Sequence, residues 1–254
     1  MSLPLLPGAE PWSHTGGPLG ALCIHGFTGS PSSMRGIADA FAGAGFSVEL
    51  PRLPGHGTTV EDMITTGWAD WSGEVLAAYD RLTARCERVV AAGLSMGGAL
   101  ALWLAQQRPD LAGVVAVNPA TQQQAPEVLA MLKDMIAGGT DRMPGIGSDI
   151  AKPDVVEVAY PGTPVAPLLG LMDGLAGIEG DYGARRQPLL LLSSREDHVV
   201  DPVQGDFLAG AWGGPLQRVR LERSYHVATM DFDAELIETE AVAFARRVCV
   251  ATAG

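Results

Sequence analysis

Short, nearly unbroken apolar runs alternate along this chain with longer stretches in which apolar positions recur every three or four residues. The first run, Leu19 to Ile24, leads into His25-Gly26-Phe27. The helical pattern from Pro31 to Ala44 that follows is closed by Gly45, a residue suited to a left-handed helix stop. Phe46 to Leu50 is a second run, stopped by Pro51. Val60 to Arg85 reads as one long helix carrying Trp68, Trp71 and Tyr79. Arg88 to Leu94 is a third run, and Met96 to Gln107 an Ala- and Leu-rich helix that ends ahead of Pro109. Leu111 to Asn118 is a fourth run. The alternation resumes late: Pro188 to Ser193 predicts a strand and Pro202 to Ala211 a helix. Leu216 to Leu221 predicts a strand whose alternating polarity places it near an edge, and Ala234 to Val248 a closing helix.

Runs that are apolar throughout, rather than at every second position, belong to strands covered on both faces. Such strands alternating with helices predict a mostly parallel, doubly wound α/β sheet. From about 120 to 186 the alternation fails. This Gly- and Pro-rich segment holds Met131, Met135, Met143 and Met172 and two short amphipathic stretches, Pro126 to Ile136 and Val165 to Leu175. It is too long for a plain loop in a compact domain. The expected organisation is a core from 1–119 and 187–254, interrupted by a small cap insertion, 120–186, over one end of the sheet. The Met and Leu residues of the insertion serve either as its own small core or as the wall of an apolar pocket, and both roles stay open. The lead before Leu19, His14 included, is expected to be loose.

Composition narrows the function classes. The 254 residues are 47% hydrophobic and 18% charged, with a net charge of -12. That acidity opposes nucleic acid and anionic membrane surfaces, so neither is expected as a partner. Cys23, Cys86 and Cys249 are too few for a disulfide framework and sit at no metal-ligand spacing, which reads as three reduced thiols. The N-terminus has no basic region followed by an apolar stretch of signal length, and no window approaches 18 apolar residues. A cytoplasmic protein without a membrane span is the expectation; monomer and homodimer stay open.

The chemistry gathers around one pentapeptide. Gly93-Leu94-Ser95-Met96-Gly97 fits G-x-S-x-G, follows the apolar Val89 to Ala92 and opens a helix. That is the strand–turn–helix setting of a nucleophile elbow. The turn is tight, so only small residues fit its flanks, and the helix N-terminus presents free N–H groups to a developing oxyanion. The chain has neither G-x-G-x-x-G nor a P-loop lysine here, which argues against a nucleotide loop. A serine hydroxyl needs a base. Of five histidines, His14 lies in the lead, His25 and His56 in Gly-flanked loops, and His198 directly beside the acidic candidates. His226 lies between the last strand and the last helix, where the base falls in the order nucleophile, acid, base. The acid should follow an intervening strand. Arg195-Glu196-Asp197-His198 does so, with Asp197 the better choice and Glu196 the alternative; Asp201 and Asp206 lie toward or inside the next helix. Its task is to fix the imidazole tautomer and stabilise the imidazolium. His25-Gly26-Phe27-Thr28-Gly29 ends the first clear strand. The backbone N–H groups of Phe27 and Met96 are therefore the expected oxyanion donors, with His25 holding the loop.

HGFTGSPSSMR (25–35), LPGHGTT (53–59), GLSMGG (93–98), DHVV (197–200) and SYHVATMD (224–231) resemble, in this order, the α/β-hydrolase superfamily. Within it the chain is similar to bacterial monoacylglycerol lipases and the related thermostable carboxylesterases. The resemblance implies an α/β-hydrolase fold with a small cap, Ser95, Asp197 and His226 as a triad, and Phe27 and Met96 as oxyanion donors. It also implies a small-molecule acyl ester as substrate and no metal or organic cofactor. GSDIAKPDVVEVAY (147–160) is similar to the cap segment of those lipases in which a glutamate receives a glycerol hydroxyl, a position that matches Glu157. Without the resemblance Glu157 reads as a solvated charge. The expected function is hydrolysis of monoacylglycerols through an acyl-enzyme on Ser95. The alternatives are a general carboxylesterase without glycerol preference and a non-catalytic ligand-binding homologue. Dehalogenase and epoxide chemistry is disfavoured because those relatives carry Asp in place of Ser95.

Overall fold

In the computed structural model, which describes residues 3–145 and 147–250, the core elements follow one another as β1 (Trp12–His14), β2 (Leu19–Ile24), α1 (Arg35–Gly43), β3 (Ser47–Leu50), α2 (Val60–Ile64), α3 (Trp68–Thr83), β4 (Arg88–Leu94), α4 (Met96–Gln107) and β5 (Gly113–Val117). Then come α5 (Pro126–Ala137), the two short strands β6 (Arg142–Pro144) and β7 (Gly162–Pro164), and α6 (Val165–Glu179). The chain closes with β8 (Leu189–Ser194), α7 (Val203–Ala211), β9 (Leu216–Leu221) and α8 (Ala234–Val250). No helix among the described residues is long and apolar enough to cross a membrane.

Seven strands form one sheet in the order β1-β3-β2-β4-β5-β8-β9, parallel except that β1 runs antiparallel to β3. The strands bury alternate side chains on opposite faces. Leu22, Ala91, Val114 and Leu191 meet a core built with α3, α4 and α6, whereas Cys23, Val90, Val115 and Leu192 meet one built with α1 and α8. This two-sided burial is why the strands read as continuous apolar runs. The chain leaves β2 toward β3, then returns to β4 on the other side of β2 and continues outward. The order thus reverses between β2 and β4, and ligands of open α/β sheets bind outside the carboxyl ends at such a point. The register Ile24 with Gly93 brings the loop after β2 beside the turn after β4.

Two elements differ from expectation. The stretch 60–85 is two helices, not one. Thr65 and Thr66 turn their hydroxyls back onto the carbonyls of Asp62 and Met63, ending α2, and Asp70 accepts the Gly67 N–H, starting α3. His14 is not in a loose lead: it sits in β1, paired with Val48, while Arg35 stacks over neighbouring Trp12. Further along, β7 pairs antiparallel with β6, Gly162 opposite Pro144 and Pro164 opposite Arg142.

Residues 120–186 add no strand to the main sheet. Within them α6 packs into the main core through Leu171, Met172, Leu175 and Ile178, against α3 and α4. Gly174 leaves the room that the Trp68 ring occupies. By contrast α5 buries only Leu132 fully. Residues 147–160 are pinned at both ends. Val227 N–H donates to the Asp149 carbonyl (3.0 Å), Tyr160 N–H donates to the Thr28 carbonyl (3.1 Å), and the Tyr160 hydroxyl donates to the Gly55 carbonyl (2.7 Å). This stretch therefore runs from the loop after β9 to the loop after β2.

Candidate active site

The turn from β4 into α4 forces Ser95 to φ 55°, ψ -117°, a region that side-chain-bearing residues rarely enter. A Cβ on Gly93 would strike the Gly97 carbonyl, and one on Gly97 would strike the Ile24 carbonyl. Only glycine serves at either flank. Ser95 is partly exposed, while Gly93, Leu94, Met96 and Gly97 around it are buried. Its own N–H is spent on the Val117 carbonyl at 2.9 Å, which ties the elbow to β5.

His226 and Asp197 meet directly: Nδ1 lies 2.8 Å from Oδ2, with both side chains almost wholly buried. An ionised carboxylate only accepts, so the proton of this bond belongs on Nδ1, and Nε2 is left as the basic nitrogen. Oδ1 of Asp197 accepts the N–H groups of Val199 (2.9 Å) and Val200 (2.8 Å), which fixes the carboxylate's orientation. The other acidic candidates are engaged elsewhere or exposed. Asp206 pairs with Arg218, Asp201 accepts the Val203 N–H, and Glu196 lies on the surface.

The loop after β2 faces the elbow: a Cβ on Gly26 would stand 3.6 Å from the Ser95 Cβ. Neither the Phe27 nor the Met96 N–H has a backbone acceptor among the described residues. Thr28 adopts φ 59°, a strained conformation for a β-branched residue, held by its hydroxyl on the Phe27 carbonyl (2.7 Å) and by Tyr160 on its own carbonyl. Beneath this loop His25 is fully buried. Its Nε2 accepts the Leu53 N–H at 3.1 Å, so its Nδ1 carries the proton and donates to Gly26. Burial and the neighbouring His56 hold it neutral, well below the ordinary imidazole range. The His56 ring, also buried, packs edge-on to both His25 and Trp71, and its pKa falls to about 4 through burial.

Glu157 comes into this cluster from the stretch 147–160. Its carboxylate lies over Gly29, where a Cβ would stand 2.5 Å from Oε1. Burial pushes its pKa up, opposed by the nearness of the Ser33 hydroxyl and of His226. The Glu157 N–H donates to Ser148 Oγ (2.9 Å), which fixes the backbone beneath it. It is thus no freely solvated charge.

Two residues without any local signal hold His226 by its backbone. Asn118, at the end of β5 with φ 42°, donates from Nδ2 to the His226 carbonyl (2.8 Å) and accepts the Ser194 N–H on Oδ1 (2.7 Å). Asp149 accepts the N–H groups of both His226 and His198 on Oδ2, each at 3.1 Å, and its Oδ1 meets His198 Nδ1 at 2.8 Å. Burial alone would raise the Asp149 pKa, but these His198 and His226 bonds hold it below the usual carboxylate range, and His198 is raised in turn.

A sheet that reverses between β2 and β4, a strained serine on a strand–helix turn and a buried histidine–carboxylate pair on the loops after β8 and β9 define an α/β hydrolase. The chain belongs to the alpha/beta hydrolase family, whose sequence profile matches residues 21–239. It is 43% identical to a thermostable monoacylglycerol lipase from Bacillus sp. (strain H-257), over 95% of this chain and 96% of that protein. It is 24% identical to a carboxylesterase from Bacillus subtilis (strain 168), over 94% and 97% of the two chains. A solved structure from work on two metagenome-derived lipolytic enzymes, LipS and LipT, superposes with a TM-score of 0.92 at 43% identity, covering 96% of this chain and all of that one.

Proposed function

We propose that this protein is a serine ester hydrolase that splits monoacylglycerols into fatty acid and glycerol through an acyl-enzyme on Ser95. The observation that carries the reading is the Glu157 carboxylate, set over Gly29 in the same cluster as His226, where an ester's alcohol portion leaves. Its likeness to a curated relative named as a monoacylglycerol lipase over nearly its full length supports the same substrate. Ser95 attacks the ester carbonyl as Nε2 of His226 takes its proton. The Asp197 carboxylate keeps that proton acceptor in the correct tautomer and stabilises the imidazolium. The N–H groups of Phe27 and Met96 receive the oxyanion; losing one such donor costs about 3 kcal/mol in the barrier. His226 then protonates the departing glycerol, and water, deprotonated by the same nitrogen, releases the fatty acid.

In this reading residues 120–186 act as a cap over a core of 1–119 and 187–254, with the acyl chain lying against its apolar side chains. Glu157 accepts a hydrogen bond from a glycerol hydroxyl. The scheme requires no metal or organic cofactor. The three unpaired cysteines suit a reducing, cytoplasmic compartment. Ser95→Ala should abolish both p-nitrophenyl ester hydrolysis and fluorophosphonate labelling; retained turnover overturns the scheme. Glu157→Ala should lower kcat/KM for a monoacylglycerol far more than for a nitrophenyl ester. Equal losses would replace the glycerol reading with a general carboxylesterase.

A further inference from the structure

The side chain of His226 is set by Asp197, but its backbone is set by residues from two other parts of the chain. The core supplies one: Asn118 donates to the His226 carbonyl and, through Ser194, to the same strand end that leads to Asp197. The cap supplies the other. Asp149 Oδ2 accepts the N–H of His226, the Asp149 carbonyl accepts the N–H of Val227, and Oδ2 also accepts the N–H of His198, the residue after the acid. A second carboxylate repeats the pattern one turn further on. Asp231, 2% exposed, accepts Ala151 and Lys152 N–H from the cap and Tyr225 N–H from the base loop. Three residues of the cap, Asp149, Ala151 and Lys152, are thereby fastened to the loop that holds His226. The same short stretch of cap leads, within eight residues, to Glu157.

We propose that Asp149 is a positioning residue through which the cap sets the catalytic base, so that the imidazole is aligned only when the segment bearing Glu157 is seated. The inference rests on the reading of His226 as base. Its physical basis is directional: one carboxylate oxygen takes two N–H groups from the acid loop and the base loop together, which locks the spacing between Asp197 and His226. A shift of about 1 Å in a reacting group can cost about 100-fold in rate.

The role is one of hydrogen-bond geometry rather than charge, and three substitutions separate the two. Asp149→Asn is isosteric; its amide oxygen can take the Oδ2 position and keep both backbone bonds, while its NH2 faces a neutral His198. Asp149→Glu keeps the charge but moves the oxygens by one methylene, and Asp149→Ala removes both. With a p-nitrophenyl ester at pH 8, kcat should fall about tenfold or more in the Ala and Glu variants and stay within threefold in the Asn variant, with KM within about twofold throughout. Equal losses in Asn and Ala would make the effect one of charge and overturn the proposal. So would a folded Ala variant with wild-type kcat, or an effect confined to KM. If the Ala variant does not fold, the Asn and Glu pair decides: full activity in the Glu variant overturns the proposal. Ser95→Ala is measured alongside. Residual turnover there refutes the triad itself, whereas an inactive Ser95→Ala beside a fully active Asp149→Ala refutes the clamp alone.

Discussion

Gly29→Ala tests the proposed head-group site by replacing one hydrogen with a methyl group outside the proposed triad. Gly29 lies outside the left-handed region of φ, so alanine is compatible with its backbone. The new Cβ would stand 2.5 Å from Glu157 Oε1, 3.3 Å from its Cδ and 3.5 Å from the Gly26 carbonyl. Only the carboxylate oxygen is in real conflict, short by about 1 Å of an ordinary contact. It is the tip of a rotatable side chain, so the carboxylate swings aside and the loop stays. A hydrogen bond to a charged group contributes about 1.5–3 kcal/mol. Losing the one to glycerol should therefore lower kcat/KM for a monoacylglycerol by about 10- to 100-fold. The p-nitrophenyl ester of the same acyl chain has no glycerol hydroxyl and should change by less than threefold. Fatty-acid release by titration and nitrophenolate absorbance give the two numbers, and their ratio cancels any common disturbance of Phe27. Adding Gly29→Ala to Glu157→Ala should cost nothing further on monoacylglycerol. An unchanged ratio in a variant that melts like the wild type would refute the assignment of Glu157.

Acidification gives an independent check: the folded-state pKa of Glu157 is raised by burial, so its charge is lost as pH falls through a value above the ordinary carboxylate range. The ratio of monoacylglycerol to nitrophenyl-ester kcat/KM should drop on that descent in the wild type and be flat in Glu157→Gln. His56, depressed to about 4 from an ordinary 6.5, is neutral in the fold while the unfolded chain protonates. Stability should accordingly be lost as pH falls from about 6.5 toward 4, by about 3 kcal/mol from this group, with a shallower slope of urea midpoint against pH in His56→Gln. Asn118→Asp replaces two donors with acceptors opposite the carbonyls of Tyr225 and His226; it should lower the unfolding free energy by about 2–4 kcal/mol and reduce kcat.

The sheet was readable because both its faces are covered, which leaves continuous apolar runs at β2, β4, β5 and β8 bounded by turn residues. Chain order then placed Ser95, Asp197 and His226 on successive loops. What escaped reading was what local pattern does not encode. β1 is three residues long, and Trp12, Ser13 and His14 become a strand only through pairing with β3. The break between α2 and α3 is made by threonine hydroxyls turned onto carbonyls, while the apolar periodicity runs on across it. Asp149 and Asn118 act on a backbone 77 and 108 positions away, so neither has neighbours in sequence that mark it. Glu157 became visible only through resemblance, since a lone glutamate in an irregular stretch has no other mark.

The backbone angle of Ser95 has a thermodynamic corollary. A side-chain-bearing residue held there costs the native state about 1–3 kcal/mol, a sum the rest of the fold absorbs. Glycine enters that region freely, at an offset of up to about 1 kcal/mol from the added freedom of its unfolded chain. Ser95→Gly, inert toward esters, should then melt a few degrees higher than the native enzyme, on the order of 2–4 °C per kcal/mol at this chain length. The most heat-resistant version of this protein would be one that no longer works.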